Sequence, residues 1–146
     1  MNEPKNILLA EDDPNDIELT LQAFAEHNLA NNIQVVRDGA EALDYLYRRG
    51  SYATRPLGNP IVVLLDLKMP EVSGLEVLRQ VKNDEKLKAI PIVAVTSSRE
   101  PLDVERCYEA GINAYVVKPV RFPQFIRAAQ ELGIFWAIIN QTPVTF

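Results

Sequence analysis

Ile61-Val-Val-Leu-Leu-Asp66 sets five apolar residues in front of one carboxylate. A continuous β-branched and leucine run fits a strand buried on both faces of a sheet. The acid falls where that strand should end, and Pro70 and Gly74 then turn the chain away. In open α/β sheets ligands bind beyond the carboxyl ends of the strands, so Asp66 is placed for chemistry. Taken alone, it is equally a helix-cap or turn aspartate.

The flanking sequence repeats the pattern. Ile7-Leu-Leu-Ala10 runs into Glu11-Asp12-Asp13. Asp13-Pro14 reads as an N-cap with proline in the first turn, and Ile17, Leu21 and Phe24 recur at helical spacing. Ile33 to Val36 forms a second short strand. Asp38 and Glu41 cap a helix through Leu43 and Leu46 that Gly50 should stop. Residues 50–60 hold Gly50, Pro56, Gly58 and Pro60, a connection longer than most. After the strand at 61–66, Ser73 and Glu76 make a capping box for a helix carrying Leu75, Leu78 and Val81. Ile92 to Thr96 is a fourth strand, ending in the hydroxyls Thr96, Ser97 and Ser98. A helix spans about Pro101 to Ala110 and stops at Gly111. Ala114 to Val117 is a fifth strand, ending in Lys118-Pro119, and Pro123 starts the last helix. Five strands alternating with five helices predict an α/β fold, a parallel sheet covered on both faces.

Length suits one domain over 1–146, since 146 residues support a single core. With 47% hydrophobic and 24% charged residues the chain reads as globular. A net charge of −5 without a basic stripe argues against nucleic acid as the main partner. The lone Cys107 leaves no internal disulfide. Acids arrive too early for a signal peptide, and no apolar run approaches the roughly 20 residues of a membrane span. A cytoplasmic location is expected, with no membrane partner.

Residues at the strand ends form a chemical set: Glu11, Asp12, Asp66, Thr96 and Lys118. Converging carboxylates repel, and at least one rises in pKa unless a cation sits among them. Oxygen ligands without His or Cys suit Mg²⁺, which favours a phosphate partner. A lysine and a hydroxyl beside that ion can hold phosphoryl oxygens, and Asp66 is left as nucleophile. The strand-end reading of each residue by itself is a solvated or capping side chain.

With Glu11-Asp12, Asp66, Met69-Pro70, Gly74, Thr96 and Tyr115-Val-Val-Lys118-Pro119 in place, residues 5–132 resemble the receiver domain of two-component response regulators. The resemblance implies a flavodoxin-like sheet of order 2-1-3-4-5. It implies Asp66 as phosphoacceptor, Asp12 as a direct Mg²⁺ ligand, Glu11 acting through water, and the Lys68 carbonyl as a further ligand. It implies Thr96 as switch hydroxyl, Tyr115 as switch aromatic, and Lys118, before a cis Pro119, as the phosphate-pairing lysine. Such a protein signals; it is not an enzyme beyond slow self-dephosphorylation. Ser97 departs from the alanine of many relatives, and Lys68 is an uncommon residue at its position. The opening Glu-Asp-Asp-Pro-x-Asp, the loop with Tyr52-Ala53 and the tail Glu131 to Trp136 resemble stand-alone regulators that serve bacterial phytochrome kinases. That likeness implies a phytochrome-type sensor histidine kinase as donor, and output through a downstream protein not identified by the sequence.

A stripe of Phe125, Ile126, Ala129, Leu132, Trp136 and Ile139 can pack on the sheet, but Ile134 to Ile139 is apolar all round. A helix of that kind needs cover on more than one side. Residues 134–146 are therefore expected to form a C-terminal extension that contacts a second subunit, giving a homodimer. His27 reads as a solvated helix-end residue, Cys107 as packed or half-exposed, and Arg48-Arg49 as cations at a helix C-terminus. The rival reading is an aspartate-nucleophile, Mg²⁺-dependent phosphohydrolase. Its usual second aspartate, two residues after the nucleophile, is replaced here by Lys68. A flavin-binding relative of the same sheet would need a phosphate-cradling loop where Glu11-Asp12-Asp13 stands.

Overall fold

A computed structural model describes residues 6–27, 33–97 and 101–139, with the side chains of Trp136 and Ile139 excepted. The elements run β1 (Ile7–Ala10), α1 (Pro14–Ala25), β2 (Ile33–Val36), α2 (Gly39–Tyr47), β3 (Val62–Asp66), α3 (Gly74–Lys82), β4 (Ile92–Thr96), α4 (Pro101–Glu109), β5 (Ala114–Val117), α5 (Phe122–Glu131) and α6 (Phe135–Ile139). All four strand pairings are parallel, and the order is β2-β1-β3-β4-β5. This is the flavodoxin-like strand order that the resemblance implies. The strand at 61–66 begins one residue later than the sequence suggests, because Ile61 only donates its N–H to the Asn6 carbonyl.

Successive strand side chains point to opposite faces, and the core divides accordingly. Leu8, Ala10, Val63, Leu65, Ile92 and Ala94 join α2, α3 and α4 on one face. Ile7, Leu9, Val62, Leu64, Val93 and Val95 join Ile17 and Phe24 of α1 and Phe125, Ala128 and Ala129 of α5 on the other. Every residue of β1, β3 and β4 is buried, which explains their unbroken apolar runs.

Caps fix where helices begin. The Asp13 carboxylate accepts from the N–H groups of Asn15 and Asp16, and Pro14 follows it. Asp38 accepts from the Glu41 N–H at 2.7 Å, but the Glu41 carboxylate reaches back to the Arg37 N–H, one residue beyond the usual box partner. Two details correct the sequence reading. Helix α2 ends at Arg48, itself left-handed at φ 54°, before Gly50 starts a short 3₁₀ turn over Gly50–Tyr52. Helix α5 starts at Phe122, with Pro123 inside its first turn. The long connection is held by arginines: Arg55 Nε donates to the Tyr45 carbonyl at 2.6 Å while its guanidinium lies 4.3 Å above the Tyr45 ring. Arg48 in turn donates to the Arg55 carbonyl at 2.8 Å.

The tail adds α6, which strand-and-helix counting does not anticipate. Ile138 is fully buried with the α1–α5 core, and Ile134 and Phe135 pack against it. This part of the apolar segment therefore covers its own domain. Residues 140–146, the Trp136 and Ile139 side chains, and Ser98 lie outside the described residues. Cys107 is buried rather than half-exposed. His27 is exposed and stacks on Phe122, with ring centroids 3.6 Å apart.

Gly74 opens α3 directly beneath Asp66. A Cβ there would lie 2.1 Å from the Asp66 carbonyl oxygen and 2.7 Å from the Leu67 Cα, both backbone atoms that cannot swing aside. Gly74→Ala is expected to cost roughly 2–4 kcal/mol, read by urea unfolding, through overpacking and displaced backbone. Gly133→Ala, at φ +74° with open space around it, should cost only about 1 kcal/mol.

Candidate phosphoacceptor site

The carboxyl ends of β1, β3 and β5 lie at one edge of the sheet because all its strands run parallel, with β4 between β3 and β5. Glu11 follows β1, its N–H held by the Val36 carbonyl at 2.9 Å. Asp66 is the last residue of β3 and is only 5% exposed. Lys118 follows β5; its N–H is held by the Thr96 carbonyl at 2.8 Å, and its peptide to Pro119 is cis. Counting by twos from the core residues sends Glu11, Asp66 and Lys118 to the α1–α5 side and Thr96 and Tyr115 to the opposite side.

Carboxylate oxygens of Glu11, Asp12 and Asp66 all lie within 4.8 Å of one another. Glu11 and Asp66 are buried and Asp12 is exposed, so the cluster has a dry floor and a wet rim. Lys118 Nζ stands over the floor, 2.7 Å from Glu11, 2.9 Å from Asp16 and 3.3 Å from Asp66. Asp66 Oδ1 also accepts the Lys68 N–H at 3.1 Å, and Glu11 accepts the Asp13 N–H at 3.2 Å. Together these residues border an open cleft of about 510 Å³ that Ser97 and Pro119 also line.

Burial and the adjacent Asp66 push the Glu11 carboxyl up to about 7, against the pull of the Lys118 ammonium and the Asp13 N–H. Burial draws Lys118 down, but its hydrogen bonds to Glu11 and Asp16 and the charge of Asp66 outweigh that and hold it above its ordinary value. One ammonium thus leaves an excess of negative charge. Three carboxylates with only oxygen donors, open to water on one side, fit a hard divalent cation such as Mg²⁺.

The site brings together Glu11, Asp12, Asp66, Lys68 and Lys118 as the sequence suggests. Thr96 is not in the cleft. It is 1% exposed and lines a neighbouring pocket of about 220 Å³ with Leu67, Ser73, Leu75, Asp103 and Cys107; that pocket shares Lys68 with the cleft. Tyr115, half-buried on the edge strand β5, packs against that same face, in register with Ala94 two residues before Thr96. Asp16 is not among the site residues the sequence suggests. There it stands as the last acid of Glu-Asp-Asp-Pro-x-Asp and as an acid in a helix first turn, which macrodipole and capping preferences explain without any site.

Comparison with known proteins agrees with this geometry. The model of the response regulator receiver domain matches residues 7–130. Among solved structures, the chain is similar to the bacteriophytochrome response regulator RtBRR, with 57% identity and a TM-score of 0.85 over 97% of this chain and 85% of that one. The probable methanogenesis regulatory protein FilR2 of Methanothrix harundinacea is 40% identical over 141 residues, 97% of this chain and 89% of FilR2. The response regulator Rcp1 of Synechocystis is 34% identical over 135 residues, 92% of this chain and 90% of Rcp1. The structure of Rcp1 in its Mn(2+)-bound form superimposes with a TM-score of 0.74 at 33% identity, over 98% of this chain and 99% of that one. Family match, topology and the convergence of Glu11, Asp12, Asp66 and Lys118 agree: the chain belongs to the response regulator receiver family.

Proposed function

We propose that this chain accepts a phosphoryl group on Asp66 from a sensor histidine kinase, with Mg²⁺ held by Asp12, Asp66 and the Lys68 carbonyl and, through water, by Glu11. The observation that carries this is the packing of Glu11, Asp12 and Asp66 oxygens within 4.8 Å beneath one ammonium. When bound, Mg²⁺ would offset the carboxylate charge and that of the incoming phosphoryl oxygens. An Asp66 carboxylate oxygen attacks phosphorus; the O–P bond forms as the donor's P–N bond breaks, and the leaving imidazole takes a proton. Lys118 donates to a phosphoryl oxygen, for which its position over Asp66 is suited.

Thr96 then turns toward the phosphoryl group and Tyr115 moves inward behind it. Their shared face of the sheet and the pocket beside Thr96 support such a movement. The surface of α4, β5 and α5 changes with them, a two-state element biased by a local charge. A downstream protein reads that surface, and the phosphoryl group is lost by slow self-hydrolysis. Similarity to the bacteriophytochrome response regulator RtBRR supports a phytochrome-type kinase as donor. The C-terminal extension, residues 134–146, contacts a second copy in a homodimer, Ile138 of α6 being taken up by its own core. Nucleic acid and membrane are not partners in this scheme. The location is cytoplasmic; no helix among the described residues is long and apolar enough to cross a membrane.

Acetyl phosphate with Mg²⁺ should add one phosphoryl group per chain by intact mass, and Asp66→Asn should abolish the addition. Uptake by the Asp66→Asn chain, or turnover of phosphate esters without a stable phospho-protein, would overturn the assignment. The raised Glu11 fixes the pH response. Its folded pKa of about 7 lies above the ordinary 4.5 of the unfolded chain, so its contribution to metal-free stability is present at low pH and lost as pH rises through 7. Mg²⁺ competes with that proton, so its affinity by calorimetry should weaken about tenfold from pH 8 to pH 6. Truncation after Leu132 should halve the mass by light scattering, with circular dichroism verifying the fold; an unchanged mass removes the tail from the dimer contact.

A further inference from the structure

Lys118 has three N–H donors and, in this structure, three carboxylate acceptors. Two of them, Glu11 and Asp66, belong to the group of acids that can hold a metal; Asp16 does not. Asp16 comes from another element, the first turn of α1, and from a position 102 residues away in the chain. Its own place is fixed locally: the Asp13 carboxylate accepts the Asp16 N–H at 3.3 Å, and the Asp13 N–H is tied to Glu11 at 3.2 Å. The α1 N-terminus is thereby fastened to the floor of the site.

This partition matters when the site is loaded. With a cation held there, Asp66 would turn one oxygen to it and Glu11 would turn to its water, and Asp66 gives its other oxygen to phosphorus. Both acceptors then weaken toward Lys118. A lysine on a flexible four-carbon stem with no remaining partner would swing into the open cleft or follow the metal ligands inward. Asp16, partly exposed and outside the metal group, is the acceptor that remains.

We propose that Asp16 is the positioning residue for Lys118: it keeps one N–H of the ammonium engaged while Glu11 and Asp66 are withdrawn, so that another N–H is aimed at the entering phosphoryl oxygen. This rests on the receiver reading given above. Asp16 touches neither the metal nor phosphorus; it acts through the lysine alone.

The test follows phosphorylation by acetyl phosphate at saturating Mg²⁺, in the full chain, by intact mass. Asp16→Asn should slow uptake about fivefold, the scale of one partly exposed ion pair. Asp16→Glu should recover most of that loss, and Mg²⁺ affinity should stay within about threefold in both. In a Lys118→Met background, Asp16→Asn should have no further effect. The rate at which acetic anhydride modifies Lys118, followed by peptide mass, should rise in Asp16→Asn. An unchanged uptake rate in Asp16→Asn, or equal slowing with and without Lys118, would overturn the proposal. A wild-type chain that took up no phosphoryl group at all would fail the receiver reading itself, whereas the Lys118 modification rates report the Asp16 pairing independently.

Discussion

One ammonium placed among acidic side chains from three parts of the fold is the interaction on which the site depends. Lys118 arrives on β5, Glu11 on β1 and Asp66 on β3, and α1 brings Asp16 over the top. Without the cation, buried Glu11 and Asp66 would face each other with little to offset their charge, a costly arrangement in a poorly solvated floor. With it, the charge is reduced but not cancelled. Burial and the neighbouring Asp66 still push the Glu11 carboxyl up to about 7, and the acid cluster fits a hard divalent cation.

The sheet sorts the residues around this cluster into two layers. Alternation puts the charged groups on the side of α1 and α5, and Thr96 with Tyr115 on the side of α2, α3 and α4. The strands between the two layers are fully buried and closely packed. Thr96 sits at a strand end with a pocket beside it. Gly74 allows this crowding: α3 starts so close beneath the Asp66 carbonyl that no side chain fits.

Elsewhere the fold spends polar groups on holding irregular segments in place. The loop after α2 is kept against Tyr45 by the Arg55 and Arg48 guanidiniums, which satisfy backbone carbonyls that a long connection would leave to water. The Tyr52 hydroxyl donates to Glu41, and burial with that carboxylate pushes the phenol up to about 12, so it remains a donor through the physiological range. These contacts make an ordered surface of residues that look like a loop in composition alone.

Sequence by itself determined the strands, their parallel α/β arrangement, and which side chains stand at the strand ends. Those features follow from short-range rules: unbroken apolar runs for doubly covered strands, Asp-Pro and Ser-x-x-Glu for helix starts, glycine and proline for stops. It misplaced the end of α2, because Arg48 adopts a left-handed conformation that residue preference would assign to Gly50. Tertiary structure alone decided the rest. Asp16 reads as a helix-start acid until the sheet brings Lys118 to 2.9 Å from it, and no periodicity encodes a contact across 102 residues. Ile138 reads as surplus apolar surface until the α1–α5 core is seen to lack a wall there. Local patterns report what a residue prefers; which distant group it meets is fixed only when the strands are ordered and the faces are filled.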